Sequence, residues 1–456
     1  MPDISFIPLD AILSFSFKML AFLGGLAALI FVHELGHFLI ARRCGVIVEK
    51  FSLGFGPKLF GFKSGETEFL VAAIPLGGYV KMKGEDPGEE LADSTGSFSS
   101  APVLHRIAIA FGGPLFNIIF AIVIYLGVYM VGVPTMGTTI GNIRVDSPAQ
   151  NAGLQTGDRI LKIDGQETLY WDQLLEIVHN APGHKMDFLI ERHQKTLINI
   201  AITPRSEEIT NLFGEKEFVG LIGVTPLATN IYFIEEGSAA DRAGLKENDQ
   251  LISVDGVPIK GWPDLKTTAM DHPGKSLKFR IQRDGVVQEL ELIPDLKVVT
   301  DEAGREQEIG VLGIGLSGEM ELEKYGPWDA LKRSIHETGR LIYLITVSIK
   351  KMIFGSVSAD SLGGPILIFQ IYGQQAQQGF SELARLTALL SINLGLINLL
   401  PIPILDGGHI FFFLIELIKG RPVSEKNRER ASQVGLFMIL SLMIFAFYND
   451  IMRIVN

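Results

Sequence analysis

Four stretches of this chain are apolar over lengths that meet or approach a bilayer crossing, and they constrain everything else it can be. A spanning helix needs about 20 apolar residues. Met19–Ala41, Ile107–Val131, Leu383–Leu400 (running on past two prolines to Ile418) and Val434–Tyr448 are the candidates. Inside hydrocarbon a backbone finds no water to bond, so each is expected as an α-helix. Mean hydropathy is positive, +0.29, although 20% of residues are charged. Greasy segments must therefore alternate with ordinary soluble ones. The first stretch reads as a span rather than a signal peptide, because no basic stretch precedes it and no small-residue cleavage site follows.

Basic residues orient the spans. Arg42, Arg43, Lys50, Lys58, Lys63, Lys81, Lys83 and Arg106 lie between the first and second; Lys419, Arg421, Lys426, Arg428 and Arg430 lie between the third and fourth. The positive-inside rule makes loops 42–106 and 419–430 cytoplasmic. It puts both termini outside with the long segment 132–380, which in a bacterial inner membrane means the periplasm. The net charge is −11, with the acidic excess in Pro134–Asp329, which argues against nucleic acid as a partner. The single cysteine, Cys44, excludes an internal disulfide and a multi-cysteine metal site. Leu341–Ile349 is apolar but bracketed by Arg340 and Lys350-Lys351, so it is expected as an amphipathic helix on the outer surface.

The outer segment repeats itself. Ser147-Pro-Ala-Gln-Asn-Ala-Gly-Leu154 is echoed 91 positions on by Ser238-Ala-Ala-Asp-Arg-Ala-Gly-Leu245, and Asp158 and Asp164-Gly165 by Asp249 and Asp255-Gly256. Short apolar runs closed by Asp-Gly turns predict strands. Asn248 stands where the first copy has Gly157, a substitution a left-handed turn tolerates. The pattern resembles tandem PDZ domains, which capture extended peptide ends at a sheet edge; the alternative use is as a spacer or filter.

The first apolar stretch contains His33-Glu34-Leu35-Gly36-His37. Positions i and i+4 share a helix face, so two imidazoles there suit one zinc, and Glu34 can act as general base on its water. Ionisable groups inside a span are functional by default. A catalytic zinc takes a third protein ligand. The best candidate is Asp406 in Asn398-Leu-Leu-Pro401-Ile-Pro403-Ile-Leu-Asp406-Gly-Gly-His409, where the prolines break the third span. His409 is the rival. The donor set would also accept iron or cobalt.

This order of motifs, with HExxH first, tandem repeats in the middle and N-x-x-P-x-P-x-x-D-G last, resembles the site-2 protease family over essentially the whole chain. The resemblance implies that His33, His37 and Asp406 bind zinc (Zn2+), that Glu34 is the base, and that Asn393, Asn398 and Pro401 help seat substrate. It also implies a single-span membrane protein as substrate, a trimmed anti-sigma factor, with remnant signal peptides as further candidates. The β-like stretches Val46–Leu53, Glu66–Ala72 and Gly78–Met82, with Gly78 and Tyr79, match the family's membrane-associated β-region and offer an edge for an unwound substrate strand. Phe111-Gly112-Gly113-Pro114-Leu-Phe-Asn117 in the second span reads as close helix packing, with Asn117 able to bond across; Ser361-Leu-Gly-Gly-Pro-Ile366 resembles a family segment before the third span.

The expected fold class is thus a multi-span α-helical membrane protein. Its four transmembrane helices carry a β-region and two PDZ domains. The divisions are 1–45, 46–100, 101–132, 133–210, 211–318, 319–380, 381–418 and 419–456. A non-catalytic scaffold would need no Glu34 beside its zinc, and a zinc transporter has no use for peptide-binding repeats.

Overall fold

The computed structural model describes residues 9–85, 93–193, 196–210, 216–300, 306–354 and 363–455. It forms two compact units, Met1–Gly132 with Lys324–Asn456, and Val133–Glu323. Among the described residues four helices are long and apolar enough to cross a membrane: Leu13–Arg43, Val103–Val131, Phe380–Asn398 and Glu425–Arg453.

Helix α1 (Leu9–Arg43) runs 35 residues and ends on Arg42 and Arg43. Two long strands follow, β1 (Val48–Ser64) and β2 (Thr67–Met82). Their register is that of four strand segments, because each long strand bends. Residues 48–53 pair with 67–72 on one side and 78–82 on the other, while 58–64 pair with 67–72. Segment 78–82 is therefore an edge, one of the three stretches expected from sequence; 58–64 is an addition. Phe51, Val80 and Met82 of this sheet pack with Phe38 and Ala41 of α1 and with Ile109. Helix α2 (Val103–Val131) contains Pro114 and stops at Gly132, whose φ is 117°. It crosses α1 at two glycines: a Cβ on Gly112 would lie 2.8 Å from the Gly36 carbonyl oxygen.

The unit Val133–Glu323 holds two separate cores. The first gathers Ile140, Leu154, Ile160, Trp171, Phe188, Ile190 and Ile222; the second gathers Ile231, Leu245, Leu251, Leu265, Phe279, Ile281 and Leu312. The repeat seen in sequence is a repeat in space. Helices α3 (Pro148–Asn151) and α5 (Ala239–Arg242) are capped by Ser147 and Ser238, while α4 (Trp171–His179) and α6 (Trp262–Leu265) occupy corresponding positions. Asp158 receives two hydrogen bonds from Arg192, at 2.8 and 2.7 Å, and Asp249 two from Arg283, both at 2.6 Å. Asn248 (φ 70°) takes the left-handed turn of Gly157 (φ 88°). Past Arg192 and Arg283 the offset drops from 91 to 90, so hairpin Arg205–Thr210/Lys216–Leu221 matches Asp295–Thr300/Glu306–Val311. The constant offset expected from sequence therefore loses one residue in a turn. The expected division at 210/211 falls inside the first hairpin. Ile222 belongs to the first core, and Val224–Pro226 pairs with Ile140–Ile143, so the division is better drawn after Pro226.

Helix α7 (Pro327–Ile353) contains the stretch expected to lie on the outer surface. Its Leu341, Ile342 and Ile345 pack on Ala121 and Tyr125 of α2 and on Ala388 and Ile392. An apolar stripe finds a protein partner as readily as lipid. Helix α8 (Pro365–Gln378) was not separated by the hydropathy reading. Its Phe369 and Tyr372 meet Phe22 of α1 at ring distances of 5.7 and 5.8 Å. Asp450 accepts hydrogen bonds from the Gly364, Ile366 and Leu367 amides, at 2.8, 2.9 and 3.2 Å, and so caps α8. Ser361 and Leu362 of the motif noted above lie outside the described residues. Helix α9 (Phe380–Asn398), a break, and α10 (Asp406–Lys419) make up the third hydrophobic segment, and α11 (Glu425–Val455) carries the fourth.

Candidate metal centre

Helical spacing brings His33 and His37 to one face of α1, with Nε2 atoms 3.2 Å apart. The break before α10 turns Asp406 toward them. His33 Nε2 is 3.2 Å from Asp406 Oδ2, and His37 Nε2 is 3.4 Å from Oδ1. Available ligand atoms of these three residues lie within 4.8 Å of one another, and they form the metal-type cluster found among the described residues. His409, the rival, is exposed and stands outside this cluster.

The donor set and spacing fit zinc. Ligand bonds of 2.0–2.2 Å in a tetrahedron put neighbouring donor atoms about 3.3 Å apart, which is the spacing here. Asp406 Oδ2 is buried without a hydrogen-bond partner. Gly113 of α2 faces both histidines: an added Cβ would come within 2.7 Å of His33 Cε1, 2.8 Å of its Nε2, and closer still to His37 Nε2. The cradle is open because that position has no side chain.

The outer nitrogens of the histidines are held too. His37 Nδ1 lies 2.8 Å from the Ile109 carbonyl, so it donates there and leaves Nε2 with a free lone pair. His33 Nε2 faces His37 and Asp406 and lies 3.2 Å from Asn398 Nδ2; ligation through Nε2 would leave the proton on Nδ1. Asn117 Nδ2 stands 3.1 Å from that Nδ1 while Asn117 Oδ1 is buried without a partner. Turning the amide over lets Oδ1 accept from Nδ1–H and resolves both faults, since amide orientation follows the hydrogen-bond network. Such outer partners fix the tautomer of metal-binding histidines. From sequence Asn117 was read as part of a close-packing segment, able to bond across to a neighbouring helix; the structure makes that partner His33, and a polar residue in an apolar span was the signal.

Glu34 is half-buried next to this cluster and interacts electrostatically with His33, His37 and Asp406. Gly78, in edge segment 78–82, presses on it: a Cβ there would sit 2.9 Å from Glu34 Cγ and 2.8 Å from the Ser52 carbonyl oxygen. Tyr79 stacks on Phe55 at 6.2 Å. Pro401 is exposed in the break. Asn393 is half-buried on α9, five residues from Asn398 and so about 140° round the helix from it.

Helices of membrane length that carry two histidines, an adjacent glutamate and a converging aspartate describe a membrane metallopeptidase. The chain belongs to peptidase family M50, the site-2 proteases, whose description matches residues 21–442. It is 35% identical over 474 residues to Protease RseP of Yersinia pestis, covering 97% of this chain and all of that one. It is 36% identical over 462 residues to the regulator of sigma-E protease RseP of Escherichia coli K12, again 97% and 100%. A Vibrio cholerae protein with zinc metalloprotease in its name is 34% identical over 460 residues, 96% of this chain and 99% of its own. A PDZ domain of a Listeria monocytogenes SdrC-like protein overlays 20% of this chain and 90% of its own at 17% identity and a TM-score of 0.16, a likeness too slight to bear on the fold.

Proposed function

We propose that this metallopeptidase is an intramembrane zinc endopeptidase that cuts single-span membrane proteins within their spanning segment. The observation that carries this is the convergence of His33, His37 and Asp406, at tetrahedral spacing, around the place left open by Gly113. Bound there, zinc supplies a Lewis acid that brings a water's pKa toward neutrality. Glu34 takes the proton from the attacking water on its carboxylate and returns it to the leaving amide nitrogen. Asn398, one amide donor beside His33, orients the scissile carbonyl, while Pro401 and Asn393 shape the break around it. An unwound substrate segment pairs with edge 78–82 at Gly78 and Tyr79, next to Glu34. Strand addition satisfies polar backbone that hydrocarbon cannot.

The chain sits in a bacterial inner membrane, with loops 42–106 and 419–430 cytoplasmic and the termini and repeats periplasmic, as the basic residues indicate. The repeats act as two PDZ domains. In support, a cavity of about 600 Å³ is lined by Val224 and Thr225 and by Leu174 and Val178 of α4, with Pro263, Asp264 and Thr267 of the second copy on its other side; it is suited to a peptide end held where the two copies meet, and the same pair can screen substrates by size. The relatives named as regulators of sigma-E protease favour a membrane-bound anti-sigma factor, already trimmed outside, as substrate. Remnant signal peptides are the second substrate class.

The test uses full-length protein in detergent with a tagged single-span helix. Glu34→Gln should bind zinc as the wild type does and lose cleavage by about 10²–10⁴-fold, the usual worth of a general base. Equal cleavage removes Glu34 from the reaction; no zinc in either protein removes the proposal.

A further inference from the structure

One buried ion pair joins helices that the metal centre needs in register. Arg106, in the first turn of α2, donates from Nη2 to Glu416 Oε1 of α10 at 2.7 Å, with the two side chains 11% and 13% exposed. Its Nε donates to the Ala101 carbonyl at 3.1 Å. Its guanidinium lies 4.9 Å over the ring of Phe413, also on α10, and Phe413 is fully covered and meets Phe98. The plane and the fork of one arginine are thus both engaged, a fit that tolerates little sliding.

Helix α10 has reason to need such an anchor. It is not continuous with α9, because Leu399–Leu405 break the ladder, so the position of its first residue, Asp406, is not inherited from the preceding helix. Helix α2, in contrast, already touches both other ligands, through the Ile109 carbonyl and Asn117. Glu416 lies ten residues beyond Asp406, about 15 Å along the axis. We infer that Arg106 and Glu416 are positioning residues that set the axial height of α10, and with it the approach of Asp406 to His33 and His37. The inference rests on the reading of those three residues as the zinc site.

The experiment is zinc affinity of the full-length chain in detergent, measured by competition with a chromophoric chelator well below the unfolding temperature. Arg106→Gln and Glu416→Gln should each weaken zinc binding tenfold to a hundredfold, the range for partners that orient ligands. Arg106→Lys, which keeps charge but loses the fork, should fall between them and the wild type. The reciprocal exchange, Arg106→Glu with Glu416→Arg, should recover at least tenfold over the weaker single variant. A pair that is only a structural tie would lower the melting temperature and leave zinc affinity alone; that result overturns the inference, as does a reciprocal exchange no better than either single change. Asp406→Ala separates the two claims: if it binds zinc like the wild type, the site itself is misassigned.

Discussion

Gly113 contributes to the metal centre by having nothing beyond its Cα. Gly113→Ala should weaken zinc binding at least tenfold, measured by chelator competition, because the methyl group occupies the space between His33 and His37. Gly127→Ala on the same helix is the control. Its Cβ meets nothing within 4 Å, and alanine in place of glycine favours a helix by up to about 1 kcal/mol, so affinity should be unchanged. The histidines and Glu34 were legible in the sequence because their geometry is local: four residues on one helix settle it. Asp406 was legible because two prolines announced broken backbone. Gly113 and Asn117 were visible as a small residue and a polar one in an apolar stretch, but their relation to His33 depends on where α2 crosses α1. Glu416 and Arg106 stand 310 positions apart, and no spacing rule reaches that far.

Among the elements, the repeats show how far pattern reading extends. Turn chemistry and small-residue spacing located both copies, yet their Asp–Arg clamps were missed. The arginines stand 34 positions after their partners and meet them only through a strand pairing. The clamp gives the second copy a pH dependence. Burial pushes the Asp249 carboxyl up, but the Arg283 guanidinium and the Lys246 amide outweigh it and hold the carboxyl below its ordinary value. Its contribution to stability is therefore complete above the unfolded pKa, near 3.9, and is lost as pH falls through the lower folded value. Protection of the Gln250–Val254 amides against hydrogen exchange, corrected for the pH dependence of the intrinsic rate, should fall on acidification through that range in the wild type and much less in Asp249→Asn, in which it should already be lower at pH 7. The β1–β2 sheet was legible as three stretches, but its fourth segment, 58–64, was not. Phe60 and Phe62 there are exposed, and without a buried face to impose alternation the sequence carries no period-2 signal.

For the molecule as a whole, the order of spans followed from hydropathy, whereas the packing of α7 and α8 did not, since an amphipathic stripe does not state its partner. His37 stands six residues before Arg43, about 9 Å along α1, so the centre lies toward the basic end of the helix rather than midway. The unit Val133–Glu323 begins and ends side by side: Val133 pairs with Glu323 and Thr135 with Glu321 in antiparallel strands, which puts its two ends about 5 Å apart. Across the junction, the Tyr325 amide donates to the Tyr129 carbonyl at 3.0 Å without help from that unit. Joining Gly132 to Lys324 through a short glycine-serine linker should therefore leave a chain that binds zinc with wild-type affinity and still cleaves a short-tailed helix. Loss of zinc in that variant would show that the catalytic helices depend on the unit.

That adjacency also bears on descent. A segment whose ends leave through one narrow gate can be lengthened, duplicated or exchanged over generations without moving the helices on either side. The doubling of one repeat into two, with a single residue lost in a turn, is the kind of change such a socket permits. The unit Val133–Glu323 and the helices that carry the metal-type cluster can then be altered by separate mutations, each selected without undoing the other.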